Sequence, residues 1–198
     1  MKSFLISSFL ILFSLTTSFQ SQAQIQKTRI LFVLDGSQSM YARWENGQKM
    51  QIATRLLRNL VDSLSDVDHV ELALRAYGHQ NNVSSDGRNC KDTKLEVPFS
   101  PTNHEKIKSR LQTIRPKGTT LIAYSLEQAA NDFPECSTCR NVIILITDGI
   151  EECDGDPSTR QRATRMALSS MAFCTWMNGS TVSPGQALCT DWTGIPPA

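Results

Sequence analysis

The residues with the most chemistry in them stand at Asp35-Gly36-Ser37-Gln38-Ser39, where one carboxylate and two hydroxyls occupy alternate positions. These are hard oxygen donors, which suit magnesium, manganese or calcium, whereas zinc prefers His and Cys. A second acidic loop, Thr147-Asp148-Gly149, and a hydroxyl-bearing loop, Gly118-Thr119-Thr120, offer further oxygens. Hydroxyl ligands are neutral, so a divalent ion held by this set stays electrophilic and attracts a carboxylate from another molecule to any open position. Taken alone, the first loop reads equally well as a simple turn, because Asp and Ser bond to local amides.

Each loop leaves an element that must be built first. Ile30-Leu31-Phe32-Val33-Leu34 is a continuous apolar run, read as a strand buried on both faces that stops at Asp35-Gly36. Val142-Ile143-Ile144-Leu145-Ile146 is more apolar still and stops at the second acidic loop. Between them, Ala53, Leu56, Leu57, Leu60, Val61 and Leu64 recur at helical intervals, as on an amphipathic helix. Val70, Leu72, Leu74 and Ala76 alternate with Glu71, Ala73 and Arg75, which predicts a strand covered on one face and partly wet on the other. The polar stretch from Gly78 to Asp92 reads as a long exposed loop, and Leu95 to Phe99 as a short edge strand, since Pro98 has no ladder donor. Asn103 is the N-cap expected for a helix carrying Ile107, Leu111 and Ile114; a further helix starts after Thr120 and buries Ile122, Leu126 and Ala130.

Strands alternating with helices predict right-handed crossovers and a mainly parallel sheet. Ligands of such sheets bind beyond the carboxyl ends of the strands, near a topological switch point, and Asp35 and Asp148 both belong to that edge. The Thr120 loop joins them if its preceding helix packs across the sheet.

Phe32-Val33-Leu34-Asp35-Gly36-Ser37-Gln38-Ser39-Met40, Gly118-Thr119-Thr120 and Ile146-Thr147-Asp148-Gly149, in this order and spacing, resemble the von Willebrand factor A family and its metal-ion-dependent adhesion site, over about Thr28 to Asp156. A lone Asp-x-Ser-x-Ser is weak, but three segments each at a strand end or helix start are specific. The resemblance implies a Rossmann-like three-layer α/β sandwich with a mainly parallel central sheet. It also implies an exported binding module of bacterial type that is not an enzyme. On this reading Ser37 and Ser39 bind the metal through their hydroxyls, while Asp35 and Asp148 act directly or through water. The family's remaining hydroxyl ligand falls on Thr120, because Ile122 and Leu126 then sit where the family helix carries apolar residues; Thr119 is the reserve. Gln38 stands where many relatives have Gly, which removes no ligand. The implied cofactor is a divalent cation, magnesium first, with manganese or calcium as alternatives, and the implied partner is a protein presenting a carboxylate. A second reading is a structural or assembly module that binds without metal, as do family members lacking the motif.

Competing chemistry is poorly supported. A magnesium-dependent phosphatase of the haloacid-dehalogenase kind also presents an Asp after a strand, but it carries Asp-x-Asp, and Ser37 cannot replace the second Asp as acid or base. His69, His79 and His104 read as surface or capping residues with no paired nucleophile, and no Gly-x-Ser-x-Gly elbow occurs. Tyr41 and Trp44, just after the first loop, are expected to pack in the core.

The remaining features concern compartment and extent. Lys2, the mostly apolar stretch Phe4 to Leu15 and Ser21-Gln22-Ala23 read as a signal peptide over 1–23, cleaved after Ala23; the run falls short of the roughly 20 residues that span a bilayer. Secretion or export to a periplasm follows, and the six cysteines then favour disulfides. Cys136-Ser-Thr-Cys139 is expected as a local disulfide or plain loop, and Cys90 is paired with Cys153 because both follow loops at the metal edge. A net charge of +1, 40% hydrophobic and 20% charged residues give one globular domain and no field to draw nucleic acid. The domain core is read as 27–156. Composition changes abruptly after Asp156, so 157–198 is expected to be atypical and weakly structured, with a helix from Arg160 to Phe173 or a brief strand from Met171 to Met177. A truncated or frame-shifted sheet lacking its last strands is favoured there over a natural variant.

Overall fold

In the computed structural model, which describes residues 26–44, 47–83 and 88–153 in full and 170–176 and 188–193 as backbone, the first apolar run forms strand β1, Thr28–Asp35. A 3-10 turn over Gln38–Tyr41 and a two-stranded ribbon, β2 (Arg43–Trp44) and β3 (Gly47–Gln48), lead into helix α1, Lys49–Ser63. Helix α1 contains neither Gly nor Pro and is rich in Leu and Arg, so propensity and pattern agree. The Gln48 N–H donates to Gln51 Oε1 at its start, 3.4 Å away. Then come β4 (Val70–Tyr77), β5 (Thr93–Ser100), α2 (His104–Leu111), α3 (Ile122–Asn131), β6 (Arg140–Ile146), β7 (Ser170–Trp176) and β8 (Leu188–Thr193).

The strands form one sheet in the order β5-β4-β1-β6-β7-β8. β1 runs parallel to both β4 and β6, and β6 parallel to β7, while β5 and β8 close the two edges in antiparallel fashion. Side chains of β1 alternate between two cores. Ile30, Phe32 and Leu34 meet Met50, Ala53, Leu57 and Val61 of α1 and Ile107 and Leu111 of α2. Leu31 and Val33, with Ala73 and Tyr77 of β4, meet Leu121 and α3 residues Ile122, Leu126 and Ala129 on the other face. Helix layers on both faces of a mainly parallel sheet make the expected three-layer sandwich, and each fully buried Leu or Phe contributes about 1.5–3 kcal/mol.

Several expectations change in detail. β4 is covered on both faces, because α3 packs over the side expected to be wet. Arg75 on that side is buried and forks onto Asp132 at the end of α3, at 2.6 and 2.7 Å. Asn103 takes the N-cap position of α2 as expected, but its side chain makes no capping bond: its amide donates to the Leu72 and Pro98 carbonyls and anchors the helix to the sheet. In α3 it is Ala129, rather than Ala130, that is buried.

The sheet also continues beyond Asp156. β7 lies where the brief strand was expected, and β8 occupies a stretch expected to be weakly structured. The ladder of β6 accounts for β7 and the outer ladder of β7 for β8, since an unpaired edge recruits any chain able to extend along it. Residues 1–23, read as a signal peptide, and the helix expected from Arg160, as far as residue 169, lie outside the described residues. Among the described residues no helix is long and apolar enough to cross a membrane.

Candidate metal centre

Because Leu34 of β1 pairs with Ile146 of β6, the two acidic loops leave neighbouring strands side by side. Asp35 closes β1 and is 0% exposed. Its carboxylate is fixed at both oxygens: Oδ1 accepts the Ser37 N–H at 2.7 Å, and Oδ2 accepts the Thr147 hydroxyl at 2.7 Å. Tyr77, at the end of β4, donates its phenol to Thr147 Oγ1 at 3.0 Å and so supports Asp35 from behind. Burial pushes the Asp35 carboxyl above its ordinary value, against the opposing effect of the Ser37 and Thr147 hydrogen bonds. The Tyr77 phenol is raised too, by its own burial and then by the charge of Asp35.

The two serines follow. Ser37 Oγ and Ser39 Oγ lie 3.0 Å apart, and Ser39 Oγ donates to Asp148 Oδ1 at 2.8 Å. The Gly118 loop is brought to them by backbone bonds. Ser37 bridges Gly118, Gln38 N–H donates to Gly118 O at 2.8 Å, and Lys117 N–H donates to Gly36 O at 2.9 Å. Gly78 makes this crossing possible: it takes a positive φ of 64°, and a Cβ there would lie 2.7 Å from the Thr119 carbonyl oxygen. Thr120 is buried against Gly149, whose imagined Cβ would stand 3.2 Å from the Thr120 hydroxyl oxygen. The structure thus brings Asp35, Ser37, Ser39, Thr120 and Asp148 to one place, and it sets the Thr120 side chain, not only its loop, beside Asp148-Gly149.

Among the described residues no three His, Cys, Asp or Glu side chains gather to hold a metal. A cation here would rest on hydroxyls and two carboxylates, a donor set that fits a hard divalent ion and not zinc or copper.

Four further residues shape the site and were missed in the sequence. Thr147 holds Asp35. Glu151 accepts the Ala123 N–H at 2.7 Å at the start of α3, and Glu152 accepts the Thr120 N–H at 2.9 Å while its own N–H donates to Thr120 O at 3.0 Å. These contacts strap the second acidic loop to the threonine loop, as expected for carboxylates at a helix N-terminus. Lys49, the first residue of α1, donates to Asp148 Oδ2 at 2.5 Å. A signal for it existed: lysine is disfavoured in the first turn of a helix unless an acid faces it.

The remaining expectations are settled by burial. The Cys90–Cys153 disulfide is present and pins the acidic loop to the segment before β5, and Cys136–Cys139 forms a local bridge. His79 is buried, not a surface residue, because it packs against the Gly36 turn and its Nε2 lies 2.8 Å from Glu96 Oε1. Tyr41 is exposed rather than in the core, since the 3-10 turn directs Met40 inward in its place, and Trp44 is half-buried. The loop between β4 and β5 is not wholly exposed: Asp92 is buried and accepts the Gln80 and Asn81 N–H groups.

A parallel α/β sandwich with an oxygen-lined site at the carboxyl edge of its central strands defines the class of domain. The model of the von Willebrand factor type A domain matches residues 30–151, and the chain belongs to that family. It is 30% identical over 144 residues to the uncharacterized protein YwmD of Bacillus subtilis strain 168, covering 71% of this chain and 63% of that protein; the chain thus spans under two thirds of that relative's length. Among solved structures it is similar in fold to BatB of Bacteroides thetaiotaomicron, with 19% identity, a TM-score of 0.59 and coverage of 83% of this chain and 80% of that one. It is also similar to the pilus adhesin SpaC of Lactobacillus rhamnosus GG, with 20% identity, a TM-score of 0.51 and coverage of 66% and 16%.

Proposed function

We propose that this chain is an extracytoplasmic binding module, not an enzyme, which holds a divalent cation, magnesium first, and grips an acidic group of a protein partner. The observation that carries the reading is the convergence of Ser37 Oγ and Asp148 Oδ1 on Ser39 Oγ, at 3.0 and 2.8 Å, beside Asp35 and Thr120. Ser37, Ser39 and Thr120 would supply hydroxyl oxygens, with Asp35 and Asp148 direct or one water away. The ion would supply an electrophilic coordination position for a carboxylate. The chain's own residues do the rest: Thr147 and the Ser37 N–H fix Asp35, and Glu152 fixes the Thr120 backbone. The buried Asp35 charge is costly where it stands, and a bound cation offsets that cost.

Large apolar side chains stand open at the same edge. Ile150 is 85% exposed, and Tyr41 is also exposed, each close in sequence to one acidic loop. Apolar residues around a charged centre suit a protein partner better than a small solute. The two disulfides suit an oxidising compartment, and a pilus adhesin carrying a domain of this fold fits a role in adhesion or assembly.

Thermal unfolding with and without magnesium, for the wild type and Asp35→Ala, tests the metal. Ligand linkage gives about 2.7 kcal/mol at a hundredfold excess over the dissociation constant. A rise in midpoint that the substitution removes is the expected result. A wild-type transition indifferent to magnesium, manganese and calcium would overturn the metal and leave the metal-free assembly module as the reading.

A further inference from the structure

Lys49 is placed oddly for a residue with no task. It opens α1, where the helix dipole disfavours a cation, and its ammonium reaches Asp148 Oδ2 at 2.5 Å while Ser39 donates to Oδ1 of the same carboxylate. The side chain is only 21% exposed. Its stem lines an apolar crevice with Met40, Trp44, Ile52, Leu56 and Ile146, so the ammonium has little freedom to retreat into water. Asp148 itself is 8% exposed at its side chain, and among the described residues Lys49 is the cation paired with it. An ion pair at this depth is screened far less than one on the surface.

We infer that Lys49 is a tethered cation that neutralises Asp148 when no metal is bound and weakens metal binding when one arrives, so that it sets the affinity of the site. The inference rests on the metal reading above. Without a metal, the pair lets an acidic site fold at modest cost. With a metal, one carboxylate is shared between a fixed ammonium and a divalent ion, and the two cations repel across it. The same repulsion leaves the ion short of negative charge and strengthens its pull on an incoming carboxylate.

The alternative is that Lys49 only positions Asp148, and the two roles predict opposite signs. Removing a positioning residue loosens metal binding, whereas removing a competing charge tightens it. The test is calorimetric titration of the full chain with magnesium chloride, using Lys49→Met, Lys49→Gln and Lys49→Arg, with melting midpoints recorded in chelator and in magnesium. One unit charge facing a divalent ion across one carboxylate translates to about tenfold in affinity. The Met and Gln variants are expected to bind magnesium about tenfold more tightly, to melt lower in chelator, and to gain more from magnesium than the wild type. The Arg variant, which keeps the charge, should retain wild-type affinity. Unchanged or weaker binding in both neutral variants overturns the inference while leaving the metal site standing. Should the neutral variants fold only in magnesium, titration of the Arg variant and back-titration of the loaded variants with chelator decide the sign. Binding by none of the proteins, wild type included, overturns the inference together with the metal reading.

Discussion

At the scale of single residues the site is built from short polar side chains whose positions are set by contacts behind them. Gly149 is the clearest case, because a Cβ there would come within 3.1 Å of Thr120 Cγ2 and 3.2 Å of its hydroxyl oxygen. Gly149→Ala therefore turns the Thr120 hydroxyl without touching the core. The expected outcome is about tenfold weaker magnesium binding by titration, the scale of loss seen when a ligand's support is removed, with a melting midpoint in chelator close to wild type. A large loss of stability and unaltered magnesium affinity would instead place Thr120 outside the metal's reach.

Between elements, polar side chains tie helices and loops to the sheet. Glu96 on β5 bonds Arg110 of α2 at 2.6 Å and His79 after β4 at 2.8 Å. Burial alone would raise its carboxyl, but Arg110 and His79 outweigh burial and hold it below the ordinary value of 4.5. A depressed carboxylate stabilises the fold above its unfolded pKa, and that stability drains away as pH falls through the folded value. Glu96→Gln should thus cost about 1–2 kcal/mol at neutral pH, a figure discounted because Arg110 is partly open to solvent. The deficit should shrink as denaturant titrations are repeated at pH values falling below 4.5. The Cys90–Cys153 bridge acts on the loop that carries Asp148, across a sequence separation of 63. Chain entropy sets its contribution at up to about 4 kcal/mol, so Cys90→Ser with Cys153→Ser should lower the midpoint by that order in chelator. If Glu151 and Glu152 alone hold the loop, magnesium affinity will be unaffected; a parallel fall in affinity shows that the bridge helps to place Asp148.

For the whole molecule the decisive feature is a sheet closed at both ends by antiparallel strands. β7 pairs with β6 along its length, from Asn141↔Met171 to Ile146↔Trp176, and β8 covers β7 in turn. Ending the chain after Asp156 would strip both and expose the apolar β6 ladder, a template for association between copies. Light scattering and size exclusion of that truncated chain should report aggregation or a lost cooperative transition. A monomer with wild-type unfolding would mean that the domain core is complete by Asp156.

The strands β1 and β6, helix α1 and the order of the acidic loops were legible in the sequence because they follow from apolar periodicity, which depends only on neighbours along the chain. The oxygen-bearing loops were legible for the same reason: their oxygens lie on short contiguous segments. Burial of Arg75 and His79 was not, since each is covered by an element distant in sequence, α3 over one and the Gly36 turn over the other. Nor was the role of Lys49, ninety-nine residues before the Asp148 it faces. Of the strands beyond Asp156, β7 was legible as a brief strand, whereas β8 was not, for it takes its ladder from β7 and has no strong pattern of its own. Local pattern thus determined which elements form and which atoms can ligate. Tertiary packing alone decided which charges are buried together, because the cost of a buried charge depends on whatever the fold brings against it.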